Sequence, residues 1–209
     1  MALDIYTLGH SNYSFEEFLK RLDRHHIDTV VDIRGTPYSK YNIQYNKERL
    51  AYALKDRGYT YIYMGKEFAA QRQNSSLYNE EGYADFEKVV YDADFLHGIE
   101  RLKKGCEKGY RIVLLGAKQD PTECHRFVLV GRALVKNGFQ VHHLLHDYKV
   151  SSQEDLEPYL VEKYYSPSLQ LSLDPLSGEA YDEKDYLNES YKKANRSIGY
   201  RVEHLKSKK

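Results

Sequence analysis

The sequence predicts an α/β protein: three layers, a mainly parallel five-stranded sheet with helices on both faces, and a C-terminal helical extension. Three observations carry this expectation. Short apolar runs near residues 4–8, 28–33, 59–64, 111–115 and 139–145 read as buried strands. Segments with helical spacing separate them, and strand alternating with helix implies parallel pairing through right-handed crossovers. Helix-start signals stand where those segments begin, as at Ser14 with Glu17 and Ser151 with Glu154. The expected division is an α/β body over 1–165 and an extension over 166–209 that packs on it or trails from it.

Taken in order, the first strand ends at Gly9-His10-Ser11, and Phe15, Phe18, Leu19 and Leu22 give the next helix its apolar stripe. The second strand ends at Asp32-Ile33-Arg34. Asn46 opens a helix with Leu50, Ala53 and Leu54 inward, and Gly58 closes it. A tyrosine-rich third strand follows. Residues 65–82 are polar without a clear period, so they read as a binding loop or lid. Residues 83–108 read as helix in two pieces, broken near 92–94. After the strand Ile112–Leu115, Asp120 reads as an N-cap with Pro121 in the first helical position, and the helix runs to Gly138. Beyond the fifth strand, Ser151 is the expected cap of the last body helix. Residues 166–178 look like a loop and about 182–195 like a further helix.

Across 209 residues, 31 lysines and arginines balance 31 aspartates and glutamates, so no global field favours nucleic acid or acidic partners. The end of the chain is locally basic: Lys192, Lys193, Arg196, Arg201, Lys206, Lys208 and Lys209 face Glu203 alone after Tyr191. A solvated tail is the plain reading of this, and nucleic-acid contact the sharper one. Cys106 and Cys124 are the only cysteines, too few for a disulfide framework or a cysteine zinc site. No metal or cofactor is expected. Neither a signal peptide nor a membrane-spanning run is legible, which points to the cytoplasm.

In parallel sheets, ligands bind beyond the carboxyl ends of the strands. His10, Ser11, Asp32, Arg34, Gly65, the stretch from Gly116 to His125, and His146 fall there. Cys124, His125 and Arg126 are expected in the first turn and a half of a helix, where unpaired amides and the helix dipole favour a thiolate or bound anion. Cys124 also heads an apolar stripe with Phe127, Val128 and Gly131, so a packed thiol and a nucleophile both remain open. Helical spacing turns His125 and Arg126 away from Cys124 by about 100° and 200°. Arg126 suits an anion fork or a surface ion pair. Asp32, inside an apolar run, needs a partner, and Arg34 or His10 can supply it; a His10–Asp32 pair would fix one imidazole tautomer for proton transfer. His142, His143 and His146 read as surface residues.

These motifs together resemble the domain-of-unknown-function 488 family. The resemblance rests on Thr7-Leu8-Gly9-His10-Ser11, Val31-Asp32-Ile33-Arg34 with Pro37 and Ser39, Asp120-Pro121 with Cys124-His125-Arg126, Val141-His142-His143 and Ile198-Gly199-Tyr200-Arg201. Two departures stand out. Gly116-Ala117-Lys118 replaces the family's usual Cys-Ala-Glu, and Phe68-Ala69-Ala70 with Arg72 replaces Leu-Gly-Gly-Arg. The resemblance bears on the fold; from the residues at the carboxyl edge the expectation is a site for a small-anion or phosphate-bearing ligand. Cys124, His10 and Asp32 are the candidate chemical groups, and Ser11, Arg34, Ser39, Arg72, His125 and Arg126 the candidate ligand contacts. A nucleic-acid module using the basic tail and a partner-binding scaffold without chemistry are the alternatives.

Overall fold

The computed structural model describes residues 3–165 and 183–202. The strands are β1 (Leu3–Gly9), β2 (Thr29–Asp32), β3 (Thr60–Tyr63), β4 (Ile112–Gly116), β5 (Phe139–Leu144) and β6 (Val150–Ser152). They form one sheet in the order β3-β2-β4-β1-β5-β6. The first five pair in parallel, and β6 runs antiparallel to β5. The five expected strands are thus present, and the sheet has a sixth. Val150-Ser151-Ser152 is too short to show a period of its own, and Ser151 belongs to it instead of capping a helix. The cap lies one residue on: the Ser152 hydroxyl accepts from Asp155 N–H at 3.0 Å, while the Asp155 carboxylate accepts from Ser152 N–H at 2.9 Å.

Pleat alternation divides the strand side chains between two cores. Leu8, Val30, Val113 and Leu115 pack with Phe18, Leu19 and Leu22 of α1 (Phe15–Arg24) and with Leu50 and Leu54 of α2 (Lys47–Asp56). On the other face, Ile5, Val31, Ile112, Leu114 and Val141 meet a larger helical layer. That layer holds α3 (Gly65–Phe68), α4 (Phe86–Val89), α5 (Ala93–Glu107), α6 (Arg132–Lys136), α7 (Gln153–Tyr165) and α8 (Glu183–Ile198). The expected break in the 83–108 helix falls at Val90–Asp92, between α4 and α5. Residues 65–82 hold only α3 and a 3-10 turn at Ser75–Leu77.

The C-terminal helix is joined to the body. Asn195 of α8 accepts from Phe86 N–H and donates to the Ala84 carbonyl, both at 2.9 Å, and Tyr191 and Ala194 are buried. Among the described cations of the basic end, Lys192 pairs with Glu189, Arg196 with Glu81, and Lys193 and Arg201 lie over tyrosine rings. The expected loop over 166–178 and the basic residues past 202 lie outside the described residues. His143 is buried, contrary to the surface reading, with Nδ1 2.7 Å from the Thr7 hydroxyl and Nε2 2.9 Å from Gln153 Oε1. None of the helices among the described residues is long and apolar enough to cross a membrane.

Candidate functional site

The carboxyl ends of β1, β2 and β4 open on a cavity of about 860 Å³. Its wall includes His10, Ser11, Arg34, Ser39, Cys124 and His125, with Lys118 and Gln119 after β4, Lys163 and Tyr164 from α7 and Tyr200 just past α8. Arg34, Lys118 and Lys163 face a single carboxylate in that wall, Glu123, which holds Lys163 at 2.8 Å.

Chain geometry after β4 differs from the expected helix. Asp120 does cap, its carboxylate accepting from Thr122 N–H at 2.8 Å, with Pro121 in the first turn. The turn is a single 3-10 turn, Pro121–Glu123, and Cys124 is extended at φ −133°, ψ 145°. The chain then restarts: Phe127 and Val128 N–H donate to the Cys124 carbonyl at 3.0 and 3.1 Å, and a π-helical segment spans Arg126–Gly131. Helical spacing therefore does not govern Cys124 and His125. Instead of pointing apart, the Cys124 sulfur lies 3.7 Å from His125 Nδ1. His125 Nε2 donates to the Ile33 carbonyl, just past β2, at 2.9 Å.

Electrostatics follow from this contact. Burial pushes the Cys124 thiol up, but the His125 and Arg126 charges, the His125 hydrogen bond and the Arg126 backbone N–H outweigh it, and the thiol comes down to about 5. Burial lowers His125, and the facing sulfur with the Ile33 carbonyl more than reverses that, leaving it raised. The two shifts describe one shared proton, so they belong to the pair.

Asp32 and His10 play different parts from those expected. Asp32 is fully buried and absent from the cavity wall. Its carboxylate accepts from Arg34 N–H at 3.1 Å, Arg34 Nε at 2.8 Å, Arg34 Nη2 at 2.6 Å and the Tyr61 hydroxyl at 2.7 Å. Arg34 therefore stands between Asp32 and His10, and no direct His10–Asp32 pair forms. His10 Nδ1 donates to the Ser11 carbonyl at 2.8 Å, and its Nε2 accepts from Arg34 Nη1 at 3.2 Å. Both ring nitrogens are occupied, and the ring stacks on Tyr45 with centroids 4.3 Å apart. Burial, with the Arg34 charge beside it, lowers His10 to about 4, so it is a neutral imidazole at physiological pH.

Further candidates divide. Ser11 lines the cavity in a left-handed conformation, φ 48°, held by its N–H on the Ala117 carbonyl at 2.9 Å. The Ser39 hydroxyl lines the cavity while accepting from Tyr41 and Asn42 N–H at 3.1 and 3.0 Å. Arg126 is 1 % exposed and outside the wall; it donates to the Lys118 and Gln119 carbonyls at 2.6 and 2.8 Å, so neither an anion fork nor a surface pair describes it. Arg72 lines a separate cavity, with Nη1 on the Glu67 carbonyl at 2.8 Å and Nη2 paired to Asp92. Lys118 reaches the wall from the stretch expected there, whereas Lys163, Tyr164 and Tyr200, at and beyond helix ends, were not singled out as site residues from the sequence. Among the described residues no cluster of three histidine, cysteine, aspartate or glutamate side chains is placed to hold a metal.

The family model described as Domain of unknown function DUF488 matches residues 14–133. No curated protein and no solved structure matches the chain.

Proposed function

The chain belongs to the DUF488 family, and from that premise we propose that it is a cytoplasmic, thiol-dependent enzyme acting on a small anionic ligand in the cavity at the carboxyl edge. One observation carries the proposal: Cys124 and His125 touch in the wall of that cavity, the imidazole being held from behind by the Ile33 carbonyl. A nucleophile, a base on its proton and a third group orienting the base form the minimal arrangement for covalent catalysis. The excess of cations in the wall supports a negatively charged ligand. Arg34 is the best-ordered of them, because Asp32 and the Tyr45 carbonyl fix its plane. His10 and Asp32 act through Arg34 as positioning residues.

The test compares alkylation of Cys124 by iodoacetate, an anion, with iodoacetamide, its neutral analogue, in full-length protein carrying Cys106→Ser. The expected ratio of the two rates exceeds that of free cysteine in the same buffer, and inorganic phosphate slows both. A ratio at or below that of free cysteine, with no protection by phosphate, refutes the anion site.

A further inference from the structure

We propose that the chemistry at Cys124 is acyl transfer: the sulfur takes an acyl group from an ester, thioester or amide, and His125 moves the proton. This rests on the reading of Cys124 as the nucleophile of the cavity and adds the reaction class and the class of substrate.

Tautomer geometry comes first. The Ile33 carbonyl can only accept, so the 2.9 Å contact keeps a hydrogen on His125 Nε2 in either protonation state. The nitrogen that exchanges its proton is then Nδ1, and Nδ1 is the one that faces sulfur at 3.7 Å. One proton is shared between the nucleophile and its base. In the first half-reaction the thiolate bonds to the acyl carbon as the bond to the leaving group breaks, and the leaving group departs with the Nδ1 proton. In the second, neutral Nδ1 takes a proton from water, the hydroxide oxygen bonds to the acyl carbon, and the carbon–sulfur bond breaks to restore thiolate and imidazolium. No oxidant or metal is required, and water is the only co-reactant.

Competing thiol chemistries fit less well. Phosphoryl transfer relies on a cradle of amides and an arginine clamp around the phosphorus. Here the Phe127 and Val128 amides are spent on the Cys124 carbonyl, at 3.0 and 3.1 Å, and the Arg126 N–H is left as the backbone donor to the sulfur. The neighbouring arginine, Arg126, is spent on the Lys118 and Gln119 carbonyls and stands outside the wall. Intramolecular disulfide chemistry needs a second thiol, and Cys106 instead contacts the Asp4 carbonyl near the start of β1, at the opposite end of the sheet. Acyl transfer asks for less: a thiolate, a base and a donor for the carbonyl oxygen. Arg34 uses four of its five N–H groups on Asp32, Tyr45 and His10, and the remaining Nη1 hydrogen belongs to a guanidinium in the cavity wall.

The experiment treats the full-length Cys106→Ser protein with p-nitrophenyl acetate and, separately, p-nitrophenyl phosphate, then maps adducts by peptide mass. The expected result is a stoichiometric burst of p-nitrophenolate with acetyl on Cys124, slow turnover after it, and no phosphoryl adduct. At about pH 9.5, above an ordinary thiol's range, His125→Gln keeps the burst and loses turnover on the order of 100-fold, because only deacylation still needs the base. A phosphoryl adduct on Cys124, or rapid iodoacetamide labelling without any acetyl transfer, overturns acyl transfer while leaving the nucleophile in place. Resistance of native Cys124 to all three reagents overturns both readings together.

Discussion

His125 bridges two strand ends: its Nδ1 lies 3.7 Å from the Cys124 sulfur beyond β4, and its Nε2 lies 2.9 Å from the Ile33 carbonyl beyond β2. The imidazole is fixed in one orientation, so its influence on the thiol does not average away.

That orientation sets the pH dependence of Cys124 reactivity. With the thiol lowered to about 5, thiolate persists above that pH and is lost as pH falls through it. The alkylation rate of the Cys106→Ser protein by iodoacetamide should have its midpoint near 5, against about 8.5 for an ordinary thiol. His125→Gln removes the largest opposing charge and should move the midpoint up by roughly two units or more. A wild-type midpoint at or above the ordinary value, or reaction only on unfolding, would reduce Cys124 to a packing residue.

The buried Arg34–Asp32 pair should behave as a structural keystone. Arg34 is 7 % exposed and Asp32 is 0 %, so removing either charge strands the other away from water. Asp32→Asn is expected to cost about 3–5 kcal/mol and to lower Tm on the order of 10 °C. The double variant Asp32→Asn with Arg34→Met should cost less than the two single changes added, since it strands no buried charge. Additive losses in thermal melts would show that the two side chains do not depend on each other.

Legibility of the sequence followed the range of the interactions. Parallel strands that are buried on both faces write continuous apolar runs, as Ile112 to Leu115 does, and these were readable. Antiparallel β6 has three residues and depends on β5 for its existence, so it left no mark of its own. Asp120 and Pro121 correctly announced a helical start, yet they cap one turn only, and the chain re-enters extended geometry at Cys124 before starting again. Spacing rules for one helix carried through the break turn His125 away from the thiol it contacts, although Phe127, Val128 and Leu134 beyond it are buried as the apolar stripe predicts. Arg126 reads as an anion fork or a surface ion pair because its partners, the carbonyls of Lys118 and Gln119, carry no side-chain signature. The far wall of the cavity, Lys163 and Tyr164 of α7 and Tyr200 just past α8, depends on how those helices pack against the body.

Acid should weaken the fold through two buried histidines. His10 is lowered to about 4 and His143 to about 3, each chiefly by burial, from an ordinary value of 6.5. The unfolded chain binds these protons first, so the stability they confer is present above pH 6.5 and is lost as pH falls toward 4. Protonation would also set an imidazolium against Arg34 Nη1, now at 3.2 Å. His10→Asn keeps a donor and an acceptor without titrating in this window, and its Tm should decline less steeply between pH 6.5 and 4 than that of the wild type. Parallel curves for the two proteins would remove His10 from the acid response.

Gly9 is expected to be the most sensitive glycine in the site. A Cβ built there would lie 1.7 Å from the Lys118 carbonyl oxygen and 3.1 Å from Arg126 Nη1. The same carbonyl accepts from Arg126 Nη1 at 2.6 Å. Gly9→Ala must therefore push the 117–119 loop off the end of β1 and take an acceptor from a guanidinium that is buried and already has its Nε without a partner. Losing hydrogen bonds to a buried charge costs about 3 kcal/mol or more. Gly58→Ala serves as the control: its φ is +84°, but nothing lies within 4 Å of the added Cβ, so backbone strain alone should cost about 1 kcal/mol. Urea unfolding measures both, and the Gly9 variant should lose at least about twice as much as the control. Because the displaced loop also forms the cavity wall beside Cys124, the iodoacetamide rate should change in Gly9→Ala and stay constant in Gly58→Ala. Equal losses of stability with an unchanged thiol rate would mean that the Lys118 carbonyl can move aside freely, and that Arg126 does not hold the loop against the sheet.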